Sequence, residues 1–226
     1  MTEAAKPVRV WDLPTRLFHW MLALSVVGSI VTAKIGGNAM LWHFRLGYLA
    51  MGLLLFRIVW GLVGGRWSRF GSFLYGPRRV WAYLRGQRSA GGHDEVGHSP
   101  LGALSVWALL GLLCFQVATG LVADDEIANV GPLNRFVNER VAHLLTGWHE
   151  EVGESVLIAL LVLHVAAVLF YRWVRRQDLI TPMITGNKTL PAHTPASADG
   201  WLQRVAAVVL AVAVAAGVYW VVQLGA

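Results

Sequence analysis

Five stretches of the chain run almost free of charge, separated by segments rich in arginine, glycine and proline. Each is about twenty residues long, the length a helix needs to cross the hydrocarbon core of a bilayer. The pattern predicts spans at 17–34, 41–64, 101–123, 150–174 and 201–224. Pro14 and Thr15 precede the first span. Ser99-Pro100 starts the third, with a serine able to cap and a proline suited to the first turn. Residues Pro77 to Gly86 predict a short interfacial helix. Thr189 to Gly200, rich in proline, alanine and serine, reads as a linker. It leads to a fifth span of mostly alanine, valine and leucine, with no charged residue beyond Arg204. The expected fold is therefore all-α and membrane-embedded: a four-helix transmembrane core at 8–188, a linker at 189–200 and an additional transmembrane helix at 201–224.

Composition agrees with this pattern. Charged residues make up 14% of the 226-residue chain, against roughly 25% in a soluble domain. A formal net charge of +6 does not point to nucleic acid, because the basic residues sit in the loops between spans. Their distribution predicts orientation. Lys6, Arg9, Arg16, Arg66, Arg69, Arg78, Arg79, Arg85, Arg88, Arg172, Arg175, Arg176, Lys188 and Arg204 fall on one side, fourteen of the nineteen basic residues. The other side holds Lys34, Arg135 and Arg140 among acidic residues such as Asp124, Asp125, Glu150, Glu151 and Glu154. The N-terminus is expected in the cytoplasm and the C-terminus outside. No cleavable signal peptide is read at the start. Tryptophans near span ends form the usual interfacial belt. The single cysteine, Cys114, sits mid-span, and the absence of CxxCH excludes covalent c-type haem attachment.

Ionisable groups inside a bilayer are costly and point to function. Four of the eight histidines lie within spans: His19, His43, His149 and His164. Depth sorts them into two pairs. His43 and His149 share the outer half, and His19 and His164 share the inner half. His149 and His164 stand fifteen residues apart, about 22 Å of rise and about 60° of rotation. Zinc sites gather three or four protein ligands at one point. Each depth here offers two imidazoles, which suits a haem iron whose porphyrin supplies the other four ligands. With both axial positions filled, the chemistry is one-electron transfer. Haem propionates need cationic partners. Arg57, about 21 Å deeper than His43 and about 40° off its face, is placed for the inner haem. Arg16, one turn before His19, is a second candidate, and Arg45 a candidate for the outer haem. His143 competes with His149 as the outer ligand but precedes the span. His93, His98 and His193 read as solvated cytoplasmic groups, with His98 also near enough to polar chemistry to meet a propionate or a quinone.

The motifs then show a resemblance. VWDLPTRLFHW (Val10 to Trp20), WHFRLGY (Trp42 to Tyr48), GHSPLG (Gly97 to Gly102), LHVAAVLFY (Leu163 to Tyr171) and PMITG (Pro182 to Gly186) resemble the prokaryotic cytochrome b561 and nickel–iron hydrogenase b-type cytochrome family. The resemblance covers residues 8 to about 188. It implies a four-helix core with two non-covalent haems b, His19 and His164 on the inner one, His43 and His149 on the outer one. The step from His149 to His164 is one residue longer than the family pattern, which a local bulge can absorb.

The expected function follows. A di-haem cytochrome of the bacterial inner membrane would carry electrons between the quinone pool and a periplasmic redox partner, a hydrogenase or a c-type cytochrome. An electron-transfer subunit is the leading expectation. A stand-alone oxidoreductase exchanging electrons between quinone and a small molecule is the alternative, and a haem-free structural protein or transporter is the third.

Overall fold

The computed structural model describes residues 5–87, 96–127 and 129–225. Arg88 and His93 of the sequence reading lie outside them. Five helices are long and apolar enough to cross a membrane. They are α1 (Leu13–Ile35), α2 (Met40–Val63), α4 (Pro100–Gly120), the 35-residue stretch Glu139–Trp173, and α8 (Trp201–Gln223). The expected spans are all present, most with ends shifted by a few residues. The fourth begins earlier than expected. A short α5 (Glu139–Gly147), capped by Asn138 Oδ1 accepting from Val141 N, runs into a π turn (Trp148–Gly153) and then α6 (Glu154–Trp173). The interfacial helix α3 occupies Pro77–Leu84, with its proline in the first turn.

Two short strands, not anticipated from the sequence, complete the fold with the short helix α7 (Ile180–Thr185). β1 (Ala5–Arg9) pairs antiparallel with β2 (Asn187–Pro191), Ala5 opposite Pro191 and Arg9 opposite Asn187. Pro7 is tolerated because a two-stranded sheet consists only of edges.

The chain contacts divide into two compact units. The first comprises Met1–Leu17, Arg57–Ala108 and Leu163–Ala207, and the second Phe18–Phe56, Leu109–Val162 and Val208–Ala226. In the first, Val8, Val10, Trp11, Trp67, Val96 and Leu190 form a buried cluster beside the sheet. The linker segment is laid against it rather than free. Ser197 Oγ donates to Val10 O and accepts from Trp67 N, while Trp67 Nε1 donates to Pro195 O. Asp199 accepts from Leu13 N and pairs with Arg9 and Arg204. In the second unit α8 meets α2 at Gly52, where a Cβ would touch Val218 at 3.5 Å.

Candidate functional site

The second unit contains a cavity of about 840 Å³ lined by α1, α2, α4 and the π turn. Its size falls within the ~300–1,000 Å³ of cofactor pockets. Val26, Ile30, Phe44, Leu113, Val117 and Leu157 supply apolar wall, and His43 and His149 both line it. Their ring centroids lie 5.9 Å apart with planes at 86°. Two imidazoles bound on opposite sides of one metal, each through a nitrogen at ~2 Å, have centroids roughly 6 Å apart.

The hydrogen bonds set the tautomers. His43 Nδ1 lies 3.0 Å from the Ser29 carbonyl oxygen, and His149 Nδ1 lies 2.9 Å from that of Gln116. A carbonyl only accepts, so each Nδ1 carries the proton and each Nε2 keeps its lone pair for a metal. Thr119 Oγ1, 3.2 Å from His149 Nδ1, adds a second polar contact. Gly120 makes room for the ligand, since a Cβ there would come within 2.8 Å of His149 Cε1. Ser29 Oγ and Gln116 Oε1 are buried without a hydrogen-bond partner among the described residues. Both residues line the cavity. An apolar pocket, two facing imidazoles with free Nε2 atoms and orphaned polar atoms in the wall all fit a haem.

The inner pair is split between the units, His19 in the second and His164 in the first. His164 Nδ1 lies 3.4 Å from Ser105 Oγ of α4. His19 stands edge-on to Trp20, centroids 5.0 Å apart. Arg57 is 3% exposed, its guanidinium over the Phe70 ring at 4.7 Å. Gly61 lets that ring in, because a Cβ there would collide with it. Arg16 donates to Ile184 O. Arg45 is exposed, stacks on Trp42 at 5.0 Å and does not line the cavity.

The other histidines separate clearly. His143 is an exposed group paired with Glu126 at 3.3 Å, not a lining residue of the cavity. His98, expected as solvated, is instead half-buried between Trp11 and Phe73, at centroid distances of 4.7 and 4.4 Å. Its place just before α4 carries it under the aromatic cluster.

Three residues of the site escaped the sequence reading. Lys34 lines the cavity and pairs with Glu154 at 2.7 Å. Ser29 and Gln116 hold the two histidine rings through their backbone carbonyls. Ser29 stands fourteen residues before His43, and nothing local marks it. Gln116 had a signal: it is the one primary amide in a span that is otherwise apolar apart from Ser105 and Thr119.

Comparison with known proteins places the chain. It is 25% identical over 223 residues to a probable Ni/Fe-hydrogenase B-type cytochrome subunit of Cupriavidus necator, covering 83% of this chain and 89% of that protein. A protein of the same description in Azotobacter vinelandii is 28% identical over 218 residues, covering 79% and 87%. A probable Ni/Fe-hydrogenase 1 B-type cytochrome subunit of Escherichia coli K12 is 23% identical over 216 residues, covering 80% and 90%. No solved structure matches. The family model for prokaryotic cytochrome b561 matches residues 10–186, most of the chain and every motif that carried the resemblance, so this multi-pass membrane protein belongs to the prokaryotic cytochrome b561 family.

Proposed function

We propose that the chain carries electrons through the membrane on two b-type haems, each held by two histidines. His43 and His149 would bind the outer haem, and His19 and His164 the inner one. The observation that carries this reading is the outer pair: rings 5.9 Å apart, each donating from Nδ1 to a backbone carbonyl. The inner pair rests on sequence depth and on His164 being oriented by Ser105. Haem held between two histidines would supply a one-electron couple and would leave the iron no site for oxygen. The protein's part is to orient the ligands, exclude water and balance the propionates. Arg57 and Arg16 are the cations proposed for the inner propionates. At the outer haem Arg45, stacked on Trp42, is the proposed cation, and Lys34, which lines the cavity while pairing with Glu154, is a second one.

The names of the relatives support a hydrogenase as the periplasmic partner, with a c-type cytochrome as the substitute, and the quinone pool as the other end of the path. The basic loops support an inner-membrane topology with the N-terminus in the cytoplasm. A redox titration of the purified protein is expected to resolve two b-type centres. His43→Ala and His149→Ala should each abolish the same centre and spare the other. One centre or none in the wild type overturns the reading.

A further inference from the structure

The fourth span does not pass His149 as a regular helix. Trp148–Gly153 is a π turn, which holds one residue more than an α-helical turn and is rare. Such a turn persists where another group occupies the gap it opens in the backbone ladder. Gln116 of α4 is that group. Its Nε2 donates to the backbone oxygen of His149 at 2.6 Å, and its own backbone carbonyl accepts from His149 Nδ1 at 2.9 Å. One residue thus grips the main chain and the ring of the same histidine. Gly153 closes the turn and leaves the space: a Cβ there would run into Gln116 Oε1 and lie 2.9 Å from its Cδ. The wide turn, the amide seated on it and the glycine beneath the amide form one connected arrangement.

We infer that Gln116 and Gly153 form a lock that holds the π turn open and fixes the His149 ring, making Gln116 a positioning residue for the outer haem. Gln116 acts through His149 and not on the haem itself. The inference rests on the assignment of His149 as an outer-haem ligand. It makes the seating of the His149 ring against His43, at 86° here, depend in part on the Gln116 amide that anchors the His149 backbone.

The test is Gln116→Leu in the full-length, haem-loaded protein. Leucine keeps the bulk and the backbone carbonyl but removes the amide. His149→Ala identifies which centre is the outer one, and the inner centre reports that the fold is intact. Gln116→Leu is expected to retain both haems with an unchanged inner centre. The outer centre should shift in midpoint potential and in its EPR g values, which respond to the angle between axial imidazoles. Its haem should pass to an apo-globin acceptor roughly tenfold faster, the scale of lost support around a metal ligand. Gly153→Ala should reproduce the effect, and the double variant should add little to either single one, because both act on one lock. Gly153→Ala also brings a Cβ within 2.8 Å of Trp148 O, so Gln116→Leu decides. An outer centre with unchanged potential, g values and haem-release rate in Gln116→Leu overturns the lock while leaving the haem assignment standing. A second haem that survives His149→Ala overturns the assignment and the lock together.

Discussion

Asp12 in the first unit and the histidine cavity in the second treat buried polar atoms in opposite ways. Asp12 is 0% exposed and its carboxylate is saturated. Oδ1 accepts from Thr15 N at 2.8 Å and Trp60 Nε1 at 3.1 Å; Oδ2 accepts from Ser68 Oγ at 2.7 Å and Gly65 N at 3.1 Å. A carboxylate offers about four lone-pair sites, so none is left for a ligand. The cage caps α1 at its first turn and ties it to the end of α2 and the loop that follows. Around the cavity the accounts stay open. Ser29 Oγ and Gln116 Oε1 find no partner among the described residues, although most buried polar atoms do. The lesson is a way of sorting: a closed polar network beside packed apolar side chains builds the fold, and open polar atoms beside free volume build a site.

Asp12→Ala tests the closed network and should have the largest effect on stability. It strands four buried donors, Thr15 N, Trp60 Nε1, Ser68 Oγ and Gly65 N. A loss of about 3–5 kcal/mol is expected, since each buried group left unmade costs about 1–3 kcal/mol. Thermal unfolding in detergent measures it, and a variant within about 1 kcal/mol of wild type would mean that the cage is not what holds this unit.

Two serines sharpen the comparison with one chemical change. Ser68 accepts from Thr15 Oγ1 at 2.8 Å while donating to Asp12. Ser68→Ala should cost about 1–3 kcal/mol, because it leaves a buried donor and acceptor unmade. Ser29→Ala removes a hydroxyl with no partner among the described residues, so the haem-free protein should lose less than about 0.5 kcal/mol. Equal losses at the two positions would break the distinction between closed and open networks.

The spans were legible in the sequence because their cause is collective. Some twenty apolar side chains in a row report the bilayer whatever their neighbours do. That His43 and His149 lie at one depth was legible for a related reason, since depth along a helix follows from residue count alone, and their rings lie 5.9 Å apart. The π turn at Trp148–Gly153 is a local bulge of the kind the sequence reading allowed for. What stayed hidden depends on single long-range meetings. β1 and β2 pair residues about 180 positions apart, and neither five-residue strand shows a clean alternation. Nothing local marks Asp12, whose cage forms only when Trp60, Gly65 and Ser68 arrive around it. The segment 189–200 reads only as a linker, yet Ser197 and Asp199 fasten it through hydrogen bonds that no periodicity encodes.

Asp178 provides the control for solvent, and the smallest expected effect. Like Asp12 it caps a helix: Oδ1 accepts from Ile180 N at 3.0 Å and Thr181 N at 3.2 Å, and Arg172 pairs with it at 2.8 Å. The Thr181 side chain, then its backbone N–H, Arg172 and the Ile180 N–H hold the carboxyl at about 2, below the usual ~3.9 of an unfolded chain. A carboxyl depressed in the folded state contributes stability that is fully present above the unfolded value and is lost as pH falls through the folded one. The window is therefore about pH 4 down to about 2. The Asp178 side chain is 42% exposed, so water competes for every one of these bonds and screening reduces their worth. Asp178→Asn should leave the melting temperature near pH 7 almost unchanged and flatten its fall between about pH 4 and 2. An unchanged acid slope would mean that the cap contributes nothing once it is wet. A large drop near pH 7 would mean that saturation alone, without burial, makes a polar network structural, and the contrast with Asp12 would then need another cause.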